Sequence, residues 1–154
     1  NFARMPLPLQ EKQDLVSIIK STVVVYEGMD DYSIQLLTDN EQEETSMDKA
    51  QIIQVLNNLI KNAIQSFYDQ DKGEIKITCK NEGKYVLVCV CDNGSGIKEE
   101  DHEKIFTPHF TTKSTGSGIG LSLVKQIIEN HGGEIWFSST EGKGSEFSFK
   151  LPLG

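Results

Sequence analysis

Tyr85 to Cys91 is an unbroken apolar run, and it stops at Asp92-Asn93-Gly94-Ser95-Gly96-Ile97. A short apolar run closed by glycines reads as a buried strand entering a tight turn. Further on, Gly116-Ser117-Gly118-Ile119-Gly120-Leu121 opens a helix-like stretch that continues to Asn130. A strand end and a helix start both built on glycine confine the chain to folds that mix helix and sheet. They also let a ligand approach the main chain closely at the carboxyl end of a strand. Free N–H groups at such a helix start suit phosphate. Asp92 is the lone carboxylate at the junction.

The flanking sequence supplies the other layers. Pro6 and Pro8 keep residues 1–9 extended, as a linker into a domain covering 10–154. Leu15, Ile18, Ile19, Val23 and Tyr26 repeat at helical spacing over Gln13 to Tyr26, with the β-branched Val23-Val24-Val25 weakening its end. Ser33 to Leu37 reads as a short strand, and Asp39 to Glu44 as an acidic loop. Thr45 or Ser46 can cap the next helix, with Asp48 in its first turn, and the helix runs to about Tyr68. Ile52, Val55, Leu56, Leu59, Ala63 and Phe67 form its core stripe. Glu74 to Cys79 and Tyr85 to Cys91 pair as a hairpin through Asn81 to Lys84. Lys98 to Phe106 holds a short helix, Gly118 to Asn130 a longer one, and His131-Gly132-Gly133 stops it. Glu134 to Ser138 and Ser145 to Leu151 form the last hairpin. These elements make one α+β domain, a two-layer sandwich with helices on one face of a mixed, mostly antiparallel sheet.

The 154 residues carry a net charge of −8 and no basic stripe, which argues against nucleic acid as a partner. A polyanionic ligand would need Mg²⁺, helix N-termini and a few lysines to overcome that field. No apolar stretch is long enough to span a bilayer as a helix, and no export signal opens the chain. Cys79, Cys89 and Cys91 have no metal-ligand spacing and read as small buried hydrophobes of a reducing compartment.

Three groups of residues carry chemistry. Gln54, Asn58 and Asn62 recur every four residues, a polar stripe on an otherwise apolar helix. Buried amides need partners. An amide oxygen can share Mg²⁺ with phosphates, or these amides can cap neighbouring loops. Ionised Asp92 only accepts hydrogen bonds, so it fits adenine's amino group and repels the carbonyl of guanine, unless it is an ordinary turn aspartate. Gly116 to Gly120 is neither a dinucleotide fingerprint nor a Gly-Lys-Ser/Thr phosphate loop.

The ordered set is far more specific than its parts. Asn58-Leu59-Ile60-Lys61-Asn62-Ala63, then Asp92 to Gly96, Phe106 and Phe110, Gly116 to Gly120, and Gly142-x-Gly144-Ser145 resemble the N, first glycine, phenylalanine, second glycine and last glycine boxes of sensor histidine kinase catalytic domains. That family belongs to the superfamily with the Bergerat fold, which it shares with gyrase. The opening Phe2 to Pro6 resembles the entry segment of nitrogen-regulation sensors. Many relatives carry Thr where Ser145 stands, but the hydroxyl is kept.

The resemblance implies roles. Asn62 would bind Mg²⁺, and Asn58 would support metal and phosphates. Lys61 would either reach phosphate or stay in solvent. Asp92 would read adenine directly and through water shared with Ser145, while Gly94, Gly96 and Ile97 pass near the base. Phe106 to Gly118 would be a lid, with Phe106 and Phe110 packing it and Thr112 and Lys113 near phosphate. Gly116, Gly118, Ile119, Gly120 and Leu121 would present the helix start to the phosphates. Gyrase-like relatives carry Glu where Asn58 stands, and an amide is no general base, so transfer is implied and hydrolysis is not.

None of His102, His109 and His131 has the family's His-Glu-x-x-x-Pro setting. The phosphoacceptor histidine and the dimerisation helices are therefore expected elsewhere in a longer, homodimeric protein. A response regulator receiver would take the phosphoryl group, and this monomeric domain would be cytoplasmic. A nucleotide-binding module without transfer, and a serine kinase of the anti-sigma type, are the alternatives.

Overall fold

The computed structural model describes residues 6–68, 70, 72–108 and 120–153. Among them, three helices cover one face of a five-stranded sheet. The helices are α1 (Leu15–Tyr26), α2 (Lys49–Gln65) and α3 (Gly120–Asn130). The sheet contains β2 (Tyr32–Thr38), β4 (Gly73–Asn81), β5 (Tyr85–Asp92), β6 (Glu134–Thr140) and β7 (Gly144–Pro152). Its order is β2-β4-β5-β7-β6, with β2 parallel to β4 and every other pair antiparallel. The expected two-layer α+β sandwich is therefore what forms. α2 lies between α1 and α3 and packs on β4 and β5.

Period-two patterning decides which side of the sheet is buried. Val86, Val88 and Val90 of β5 face the helices and are covered, and so are Phe147, Phe149 and Leu151 of β7. Ile52, Val55, Leu56, Leu59, Ile60 and Ala63 of α2 meet them from above. Each such aliphatic side chain contributes about 1.5–3 kcal/mol by leaving water. Cys79 lies in this core, but Cys89 and Cys91 point to the open face and are half-buried, not buried as expected. Strand alternation separates them from the valines between them. Burial pushes the Cys79 and Cys91 thiols up to about 12.

Several local expectations are corrected. A small ribbon, β1 (Glu11–Asp14) against β3 (Glu44–Met47), lies where the sequence suggested a helix start and a loop end. Thr45 and Ser46 belong to β3, so Asp48 is the N-cap of α2, accepting the Gln51 N–H at 3.2 Å. Asp14 caps α1 in the same way and also accepts the Glu43 N–H. α2 ends at Gln65, with Ser66 to Tyr68 in a turn. Lys98 to Phe106 holds only a 3-10 turn, Glu99–Asp101, followed by further turns. α3 stops as expected: Gly132, at φ +78°, and Gly133 return their N–H groups to Glu129 and Ile128.

Candidate nucleotide site

Strand register assembles one end of the site. Ile75, Asp92, Ser145 and Ser139 are successive partners across β4, β5, β7 and β6, a single row on the helix side of the sheet. Asp92 and Ser145 are thus direct cross-strand neighbours, although they lie 53 positions apart in the chain. Ser145 is buried and Asp92 half-buried.

Asp92 is held from several sides. Its Oδ1 accepts the Gly94 N–H at 2.9 Å and lies 3.3 Å from the Ser66 hydroxyl, which donates to the Ala63 carbonyl at 2.6 Å. The loop after β5 is bolted down in turn. Ser95 donates its N–H to the Ser66 carbonyl, and its own carbonyl accepts the Gly142 N–H. Ile97 donates its N–H to Ser139 Oγ at 2.8 Å, while its side chain packs on the core. That Oγ lies 2.9 Å from Ser145 Oγ and donates to the Gly144 carbonyl at 3.0 Å.

Protein packing alone already requires the glycines of this loop. A Cβ on Gly94 would lie 1.8 Å from Ser66 Oγ. On Gly96, at φ +72°, it would lie 2.2 Å from the Thr140 carbonyl oxygen, and on Gly144 2.1 Å from that of Asp92. The loop therefore approaches its own protein as closely as the sequence expected it to approach a base.

α2 carries the site onward. Asn58, Asn62 and Ser66 are spaced one turn apart, so they share a face about 12 Å long. Its Ser66 end touches Asp92 and Gly94; at its Asn58 end, Asn58 Oδ1 lies 4.0 Å from where a Gly120 Cβ would stand, at the first residue of α3. Both asparagines are half-buried, whereas Gln54 and Lys61 are exposed. Gln54 is thus no member of the enclosed stripe: it sits one turn too early, where α2 already meets solvent. Leu121 packs against the core.

Phe106 packs against aromatic rings of β6 and β7. It meets Phe137 and Phe147 edge-on at 5.9 and 6.3 Å, and Lys125 Nζ stands over its ring. His102 bonds the Ile97 carbonyl with Nε2, and His131 is buried, accepting the Asp48 N–H with Nε2 and bonding the Ile127 carbonyl with Nδ1. Phe110, Thr112, Lys113, Gly116, Gly118 and Ile119, with His109, lie outside the described residues. Ser66 and Ser139, which touch Asp92 and Ser145, are residues of the candidate site that the sequence reading missed. The four-residue spacing from Asn62 could have flagged Ser66, but nothing local flags Ser139.

Residues 47–154 match the profile of the family described as histidine kinase-, DNA gyrase B-, and HSP90-like ATPase. The chain belongs to that family. Within it, the chain is 36% identical to the sensor histidine kinase ZraS of Escherichia coli, over 91% of its own length and 34% of that protein's. It is 35% identical to a putative NtrY-like sensor histidine kinase of Rickettsia conorii, over 99% of its length and 26% of that protein's. The chain thus spans about a third or less of these relatives. The catalytic domain of histidine kinase ThkA, in a nucleotide-free form, superposes with a TM-score of 0.83 at 38% identity, covering 93% of this chain and 95% of that one. The chain is accordingly an ATP-binding catalytic domain of the sensor histidine kinase type.

Proposed function

We propose that this domain binds Mg-ATP along the α2 face, adenine at Asp92 and phosphates toward Asn58, Asn62 and the start of α3. It would then hand the γ-phosphate to a histidine on a dimerisation domain of the same full-length protein, for relay to a response regulator. One observation carries the proposal: a single helix face joins Asp92, at Ser66, to the start of α3, at Asn58 and Gly120. Asp92 accepts from adenine's amino group, and Ser145 lies beside it in the row. The Gly120 amide and those around it meet phosphate at a helix N-terminus.

The donor set fits Mg²⁺ shared with a triphosphate. Among the described residues no cluster of His, Cys, Asp or Glu could hold a metal, so an all-protein cage is not what is offered. Half-buried Asn62, with Asn58 a turn away, offers hard amide oxygens, and Mg²⁺ commonly takes few protein ligands and completes its shell with phosphate and water. The ion would neutralise charge on the transferring group. Asn58 has no basic group to activate water, which favours transfer over hydrolysis. A ThkA structure with a TM-score of 0.79 and 35% identity, covering 94% of this chain and 42% of that one, holds ThkA in complex with response regulator protein TrrA; this supports the relay.

Calorimetric titration with Mg-ATP, with Mg-GTP as the matched control, tests the pocket. ATP binding without GTP binding, followed by phosphoryl transfer to a separately produced histidine-bearing domain, is the expected outcome. A cooperatively folded sample that binds neither nucleotide would overturn the proposal. Binding without transfer would leave a nucleotide-holding module.

A further inference from the structure

The hydroxyl of Ser139 has one hydrogen and two lone pairs, and three neighbours surround it. The Ile97 N–H at 2.8 Å can only donate, and the Gly144 carbonyl at 3.0 Å can only accept. The third neighbour is Ser145 Oγ at 2.9 Å, where either oxygen could give the proton. With its hydrogen on Gly144 and one lone pair on Ile97, Ser139 has only a lone pair left for Ser145. All four groups are satisfied together only when Ser145 donates to Ser139. Ser145 is buried, so leaving one of these bonds unmade carries a penalty that solvent does not relieve.

We infer that Ser139 is a positioning residue that fixes Ser145 as a pure hydrogen-bond acceptor, and through it sharpens selection of 6-aminopurines over 6-oxopurines. The inference rests on the proposed placement of the base at Asp92. Asp92 and Ser145 are cross-strand neighbours on one face, so two acceptors stand side by side. Adenine's amino group has two hydrogens to offer them. A carbonyl oxygen at the same ring position meets lone pairs on both sides.

A bridging water gives the same result. Shared between Asp92 and Ser145, it spends both hydrogens on them and shows only lone pairs to the base. If Ser145 were free to rotate, it could donate to that water or to the base, and a carbonyl would then be tolerated. The oxygen of Ser139 also clamps the Ile97 amide, so the loop after Gly96 and the sense of the Ser145 hydroxyl share one anchor.

The test compares Mg-ATP with Mg-ITP by calorimetry on the intact chain. Inosine carries the 6-carbonyl without guanine's 2-amino group, so the pair isolates this position. Ser139→Ala is expected to lower the ATP-to-ITP affinity ratio about tenfold, through weaker ATP and tighter ITP binding. Ser139→Thr, which keeps the hydroxyl, is expected to restore the ratio. Ser145→Ala leaves the Ile97 and Gly144 bonds of Ser139 in place and is expected to lower the ratio to a similar degree, so the inference remains testable if Ser139→Ala fails to fold. The double variant is expected to discriminate no worse than Ser145→Ala alone, because the two act through one hydroxyl. A folded Ser139→Ala protein with an unchanged ratio, an unchanged ratio in Ser145→Ala, or additive losses in the double variant overturns the inference and leaves the pocket standing. A wild-type chain that binds neither nucleotide removes the pocket and the inference together.

Discussion

The two ends of the α2 face are built on different principles. At the Asp92 end, backbone and hydroxyl groups are tied to one another, and the glycines of the loop leave no room for a methyl group. At the Asn58 end, a Cβ on Gly120 would meet one described atom within 4 Å, Asn58 Oδ1 at 4.0 Å. Selecting a base depends on donors and acceptors that cannot reorient, so rigidity serves it. Accepting phosphates and a metal needs amides that can turn to a new partner and room for the ion's own ligands. Among the described residues, one end is tightly packed around its glycines and the other meets its glycine at ordinary contact distance.

Substitutions at the glycines bear most directly on that contrast. Gly96→Ala combines a positive φ with a backbone clash and is expected to lower stability by about 3 kcal/mol, measured as a drop in the urea midpoint. An unfolding free energy within about 0.5 kcal/mol of wild type, on the order of ordinary surface changes, would mean that the Asp92 end is not rigid.

Asp92→Asn keeps the shape of the side chain but adds a donor. Its Mg-ATP affinity should fall by about 2 kcal/mol, roughly thirtyfold, while Mg-ITP affinity changes much less. Equal losses for both nucleotides would show that the carboxylate serves the fold and not the base.

A third prediction concerns how α2 itself is anchored. The Leu9 N–H foremost, then the Gln51 and Ala50 N–H groups, hold the Asp48 carboxyl below its usual range, against a smaller opposing effect of burial. A pKa depressed in the folded state stabilises the protein above the ordinary carboxylate range, and that contribution is lost as pH falls through the folded value. Asp48→Ala is expected to cost about 1 kcal/mol at neutral pH, as loss of a helix cap does. Its stability should also fall less steeply than wild type between neutral and strongly acidic pH, followed by denaturant unfolding at a series of pH values.

Gly120→Ala should have the smallest effect on the fold, within about 0.5 kcal/mol or slightly stabilising, since alanine suits a helix better than glycine. Mg-ATP binding should nevertheless weaken, because the methyl group intrudes beside Asn58. A destabilisation matching that of Gly96→Ala would erase the distinction between the two ends.

Much of this was legible in the residues alone. The apolar stripe of α2, the hairpins and the stop of α3 follow from local periodicity and glycine chemistry, which act over a few residues. Asn58, Asn62 and Asp92 stood out because polar groups at apolar positions need a reason. The β1–β3 ribbon was not legible: its strands have no alternation strong enough to show, and each exists because the other pairs with it. Asp48 displaced Thr45 and Ser46 as the cap for the same reason, since ribbon pairing claimed those two residues.

Sequence by itself determined the fold class, the polar residues of α2 and the presence of a carboxylate at a strand end, because each is a property of neighbouring residues. Only the tertiary structure decided that Asp92, Ser145 and Ser139 stand in one row, and that Ser66 closes the end of the asparagine face. Those relations depend on strand order and register across β5, β7 and β6. A shift of one residue in that register would turn these side chains to the open face of the sheet.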